Sequence, residues 1–307
     1  MLGGLEGCVP LPGPPVCNTP EDPAGFGPIE VSERFSDFTG KVSLNYSIND
    51  DHSVYFLWSQ GFKSGGFQNS ARSAAAAAIP FESETTDNFE IGWKGELYDK
   101  ARFSLTAFHQ TADNIQTVTL VPVDQGFQSV TSNVGAVEST GLEGDFTYLA
   151  TRNFRMGGTF SLLDSELEDT ILTTGVNAGV PVLTDLSGQR PEVAPEWTAT
   201  LYGEFDVEFA NGSILTFRGD FNGRDSIFDG NEDRETTVRI RPELTNFGAS
   251  ITYEFGSNNQ YRLRAWGKNL NEDFDIDNIG PFQPNSLQLP VGFTGKRQLG
   301  LTLSADF

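Results

Sequence analysis

The chain has 307 residues, with 20 Lys+Arg against 42 Asp+Glu and a formal charge of -22. That balance excludes a nucleic-acid-binding surface, which needs clustered Lys and Arg against phosphate. Hydrophobic residues make up 37% and aromatic residues 12%, including 25 Phe, yet no stretch approaches the roughly 18 uninterrupted apolar residues of a membrane-spanning helix.

The chain opens on a Pro/Gly-rich segment, residues 1–33, and seven of its sixteen prolines fall before residue 31. Cys8 and Cys17 lie within it. Their spacing allows one small disulfide loop, worth ~2–3 kcal/mol in a chain-entropy estimate, and an oxidising exterior permits the bond. Two unlinked thiols are the alternative, and with no His nearby a metal site is not indicated. Met1-Leu2-Gly3-Gly4-Leu5-Glu6-Gly7 has neither a basic nor an apolar signal region, so export would require sequence upstream.

From residue 38 onward the sequence reads as strands. Val42, Leu44, Tyr46 and Ile48 alternate with Ser43, Asn45 and Ser47, and a tight Asn49-Asp50-Asp51-His52 turn returns the chain as residues 54–62. After a long Gly/Ser/Ala loop, Phe89, Ile91, Trp93 and Leu97 alternate with Asn88, Glu90, Lys94 and Glu96; a Tyr98-Asp99-Lys100 turn leads to Phe103, Leu105 and Ala107. Leu142, Phe146 and Tyr148 oppose Glu143, Asp145 and Thr147. Past Thr151-Arg152 come Phe154, Met156, Phe160 and Leu162. The clearest strand sets Trp197, Ala199, Leu201, Phe205, Val207 and Phe209 against Thr198, Thr200, Glu204, Asp206 and Glu208. Asn211-Gly212 supplies a two-residue hairpin signal, and Leu215, Phe217 and Phe221 follow it. Phe247 to Phe255, a 256–259 turn and Tyr261 to Ala265 complete the next hairpin. The chain ends on Leu299, Leu301, Leu303, Ala305 and Phe307 along one face of a last strand.

This gives eleven strands with tight turns and long loops in strict alternation. Period-two patterning marks half-buried strands, and the alternation of connections separates a membrane barrel from a soluble sandwich, because outer-membrane barrels have short periplasmic turns and long extracellular loops. The expected fold is all-β, an antiparallel transmembrane β-barrel. With residue 307 on the periplasmic side, odd strands run downward and residues 1–33 form an extracellular loop segment. Loops 63–85, 164–195 and 223–243 are then extracellular, and an odd strand count points to part of a larger barrel.

Several short strings serve as landmarks along the chain. They are Gln60-Gly61-Phe62-Lys63-Ser64-Gly65-Gly66-Phe67, the run Glu84 to Gly95, Asp113-Asn114-Ile115-Gln116, Gly141-Leu142-Glu143, Ala194-Pro195-Glu196, Lys268-Asn269-Leu270 and Gly295-Lys296-Arg297. In order and spacing, residues 34–307 resemble the carboxy-terminal half of a TonB-dependent outer-membrane receptor. The resemblance implies eleven of about 22 strands around a plug that this sequence lacks. It implies TonB-ExbB-ExbD as the energy source acting through that plug, outer-membrane lipid and lipopolysaccharide as surroundings, and barrel-insertion machinery reading the terminal aromatic. It implies a scarce nutrient as cargo, most often a ferric siderophore, with cobalamin or an oligosaccharide as alternatives, and no enzyme activity or resident cofactor. A passive porin-type channel and a surface β-rich adhesion module are the rival readings.

Most landmarks have architectural readings: Gly65 and Gly66 suit a bend through glycine's tolerance of positive φ, and Pro195 a strand start. His52 and His109 join no Ser or carboxylate pattern that would make a hydrolase. Asp225, Asp229, Glu232, Asp233 and Glu235, and separately Asp273, Asp275 and Asp277, make two acidic loop runs. Such oxygen clusters hold Ca²⁺ in other proteins, but neither run has EF-hand spacing, and a solvated acidic loop accounts for both. Arg218, Arg262 and Arg264 share the polar face with Asp220 and Glu254; they are expected to pair with wall or plug carboxylates, or to meet an anionic ferric chelate. Leu299, Leu301, Leu303 and Phe307 are assigned to barrel closure and assembly.

Overall fold

A computed structural model of the chain describes residues 8–9, 16–17, 31–68, 77–123, 126–177, 180–228, 240–279 and 291–306. Alternation becomes one antiparallel sheet of eleven strands, each hydrogen-bonded to its predecessor and successor in the chain. In order these are β1 (Lys41–Ser47), β2 (His52–Lys63), β3 (Glu84–Leu97), β4 (Ala101–Asp113), β5 (Ala136–Leu149), β6 (Phe154–Glu168), β7 (Trp197–Glu208), β8 (Ile214–Arg224), β9 (Leu244–Phe255), β10 (Tyr261–Lys268) and β11 (Gln298–Ala305). All eleven expected strands are present. The sheet is open within this segment: β1 and β11 are its two edges.

Register carries the sequence pattern from strand to strand. Leu44 stands opposite Phe56, Phe56 opposite Ile91, and Ile91 opposite Ala107; further along, Phe205, Phe217, Ile251, Ala265 and Leu301 make one continuous rung. One face is therefore apolar and the other polar, as period two requires. The apolar face lies open. Leu299, Leu301 and Leu303, on the edge strand β11, are 71, 79 and 72% exposed. Among the described residues the buried aliphatic cluster is small: Leu167, Leu172 and Leu186, with Ile115, Val134 and Val137 against it.

The short connections are made by local polar chemistry. Asn49 Oδ1 accepts from the amides of Asp51 and His52 at 2.9 and 2.7 Å. Tyr98 and Asp99 both have φ above +50°, the signature of a two-residue I′ turn. The turn at Asn211-Gly212 departs from expectation. Gly212 has φ +84° but Asn211 is not left-handed, and the amide of Phe209 reaches the carbonyl of Ser213 at 2.9 Å. This is the longer turn with a left-handed glycine rather than a two-residue one. Asn211 Oδ1 accepts from the amide and hydroxyl of Ser213, at 3.1 and 2.7 Å, which holds it shut.

At the opposite end, each long connection carries a two-stranded ribbon where the sequence predicts loop. Gly66–Phe67 pairs with Pro80–Phe81, Gln116–Val123 with Gly126–Asn133, Ile171–Asn177 with Val180–Asp185, Ile227–Phe228 with Ile240–Arg241, and Asp275–Ile279 with Val291–Thr294. Gly65 and Gly66 also serve differently from expectation: neither has positive φ. A Cβ at Gly65 would lie 2.3 Å from the Phe35 ring and 2.4 Å from the Phe81 carbonyl oxygen, so close approach requires the glycine.

Candidate functional site: the polar wall and its outer rim

On the polar face, Arg155, Glu204, Arg218, Asp220, Glu254, Arg262, Arg264 and Lys268 line one concavity of about 1030 Å³. Alternation along β6 to β10 aims them to the same side. Glu204 sits between two arginines, bonded to Arg155 and 3.3 Å from Arg218. Arg218 also reaches Asp220 at 2.6 Å and lies over the Tyr202 ring at 4.5 Å. Arg262 donates to Glu254 at 2.7 Å. Wall pairing, one of the expected roles, thus accounts for Arg218 and Arg262. Arg264 is exposed and has no carboxylate partner among the described residues. Above it Trp266 donates to Thr302 at 3.2 Å, and Lys268 lies 5.7 Å from the Trp266 ring centre.

The other sequence candidates are placed elsewhere. Leu299, Leu301 and Leu303 line the apolar side of the open β11 edge, and Phe307 lies outside the described residues. Cys8 and Cys17 are opposite one another in a short backbone ladder; their side chains fall outside the described part. His52 packs against Trp93 and Phe103, with ring centres 5.8 and 6.3 Å away, and His109 contacts Thr140 at 3.0 Å. Of the acidic runs, Asp229, Glu232, Asp233 and Glu235 lie outside the described residues. Asp225, Asp273 and Asp275 are engaged as acceptors: Asp225 takes Arg190 at 2.6 Å, Asp275 takes Arg224 at 2.5 Å, and Asp273 takes the Thr245 amide at 3.0 Å.

Several rim residues that hold the loops carried no signal in composition. The Gln116 side-chain amide donates to the carbonyls of Lys63, Ser64 and Glu82 at 3.3, 3.0 and 3.0 Å, stitching two loops together. Asn133 bridges Glu82 and Asn114, both at 2.9 Å. Asn269, which is left-handed at φ +50°, donates to the carbonyls of Asp273 and Gly295. The landmark strings Asp113 to Gln116 and Lys268 to Leu270 thereby acquire a structural role: they are side-chain staples for backbone that has left the sheet. Asp225 is partly buried, which opposes ionisation, but hydrogen bonds from Arg190 and from the amides of Ser226 and Glu196 hold its carboxyl below the usual range.

Comparison with known proteins agrees with this architecture. The pesticin receptor of Yersinia enterocolitica is 33% identical over 104 residues, 34% of this chain and 15% of that protein. Two solved structures share the fold. The ferric yersiniabactin uptake receptor of Yersinia pestis has a TM-score of 0.68 at 18% identity, covering 88% of this chain and 37% of that one. The ferric preacinetobactin receptor of Acinetobacter baumannii has a TM-score of 0.63 at 21% identity, covering 92% and 38%. The chain thus spans well under half the length of these relatives. A family model described as TonB dependent receptor-like, beta-barrel matches residues 18–270, most of the sequence, and the chain belongs to that family.

Proposed function

We propose that this chain is the carboxy-terminal part of the barrel of an outer-membrane, TonB-energised transporter that takes up an anionic ferric chelate of the siderophore class. The eleven-stranded sheet meets lipid with its apolar face. Its polar face forms part of the lumen wall, enclosing a plug through which TonB-ExbB-ExbD acts. Trp93 and Phe103, edge-on at 4.7 Å, and Tyr253 and Phe255, stacked at 5.3 Å, sit beside the tight turns on the apolar face. They suit the aromatic girdle at a membrane interface. Short turns are periplasmic and the ribbon-bearing loops extracellular. The two structural relatives are receptors for ferric yersiniabactin and ferric preacinetobactin.

The observation that carries the substrate class is charge. In a chain of net charge -22, the lumen concavity holds Arg264 and Lys268 beyond the arginines balanced by Glu204, Asp220 and Glu254. Cations with no carboxylate partner among the described residues, set beside an indole, favour an anionic, partly aromatic ligand. The test is binding to the purified full-length receptor, with a negatively charged ferric catecholate and neutral cobalamin as probes. The double change Arg264→Ala, Lys268→Ala should weaken ferric chelate binding about 10–100-fold, the loss of one or two charge-assisted contacts. Unchanged affinity for the ferric chelate, or tighter binding of cobalamin in the unaltered receptor, would overturn the assignment.

A further inference from the structure

Arg224 is the last residue of β8 and Asp225 follows it; consecutive side chains on an extended segment point to opposite sides. Here the two carry opposite charges and reach different loops. Asp225 accepts from Arg190 at 2.6 Å, in the connection after β6. Arg224 donates to Asp275 at 2.5 Å, in the connection after β10, and to the Pro242 carbonyl at 3.1 Å, in the connection after β8. The post on which both stand is still in the ladder, since the Asp225 amide reaches the Trp197 carbonyl at 2.9 Å.

The loops also hold one another. The Val193 amide donates to the Phe228 carbonyl at 3.0 Å, and the Arg190 guanidinium lies 5.1 Å from the Phe228 ring centre. Arg241 donates to the Ile276 carbonyl at 3.1 Å. The four charged side chains are only 15 to 26% exposed, so releasing one partner strands the other in a poorly solvated place. Each contact is therefore more favourable when its neighbours are made.

We propose that the Arg224-Asp225 pair makes the loop segments 186–196, 225–228, 240–246 and 271–276 one cooperative unit, so that contact with any one loop is felt by all three. Three loops lashed separately to a rigid post would instead open independently.

Native-state hydrogen exchange of the full-length receptor, followed by mass spectrometry through sub-denaturing urea, separates the two. The unaltered protein should show one shared opening transition for these segments. Asp225→Asn should speed exchange about 10–100-fold in 271–276 as well as in 186–196, although Asp275 is untouched. Arg224→Gln should do the reciprocal. Separate transitions in the unaltered protein, or acceleration confined to the loop that lost its own ion pair, would overturn the proposal. The unaltered-protein measurement decides the matter even if a variant fails to assemble.

Discussion

At the residue scale, function and stability divide by the direction in which a side chain points. Leu201 and Thr200 are neighbours on β7, yet Leu201 stands opposite Phe221 on the apolar face and Thr200 bonds Asn222 at 3.2 Å on the polar one. Leu201→Arg should cost about 2–4 kcal/mol near the bilayer midplane, and Thr200→Arg far less. Reversible unfolding into lipid measures both, and equal costs would mean that the faces are reversed. These directions were readable from alternation alone, as was the shared face of Arg218, Arg262 and Arg264. Which of the three arginines is neutralised was not readable. It depends on Glu204, Asp220 and Glu254 coming into reach, two of them on different strands from the arginine they meet, and sequence spacing cannot supply that distance. The same limit hid Gln116, whose three acceptors lie in segments more than thirty residues away.

Elements were legible where their signal is periodic and obscure where it is not. Eleven strands of seven to fifteen residues announce themselves because one face of each is apolar over the part nearest its tight turn, as from Phe154 to Leu162, before Asp164 and Glu166 follow on the same face. Gln116–Val123 also forms a strand, but it holds Pro122, a residue that in sequence argues against a strand interior. Asn211-Gly212 marks the place of a turn but not its type, because the dipeptide admits two geometries and the Ser213 contacts select the longer one. Loop elements also carry the pH dependence. Asp225 has a carboxyl held below its usual range, so its ionised form contributes stability that is complete above the unfolded value near 3.9 and is lost as pH falls through the lower folded value. Opening of 186–196 should therefore rise on acidification below about pH 4. Asp225→Asn should be open to a similar extent across that window, since Asn does not titrate. Limited proteolysis across pH 3 to 7 reads the difference (about four units, spanning the carboxylate range); parallel curves for the two proteins would remove Asp225 from the account.

At the scale of the whole molecule, family membership and the open sheet fit one picture: a segment of barrel wall elaborated with ribbons at one end and trimmed to tight turns at the other. Topology follows. Cysteines placed at Ser187 or Ser226 in the full-length receptor should react with an impermeant maleimide on intact cells, and one at Gly212 should not. Labelling at 212 alone would invert the orientation.

If residues 1–307 were produced on their own, the two edge strands would have a consequence for how such a piece associates. β1 and β11 are the first and last strands of an eleven-stranded up-and-down sheet, so they travel in the same direction. Two copies inserted the same way up in one membrane could meet edge to edge only as parallel pairs, whose slanted bonds interrupt an otherwise antiparallel ladder. In water that restriction disappears. A copy free to turn end over end presents an oppositely running edge, and its exposed Leu299, Leu301 and Leu303 line up against their counterparts. The same segment is thus poorly matched to itself inside a bilayer and well matched to itself outside one, where association leads to aggregation.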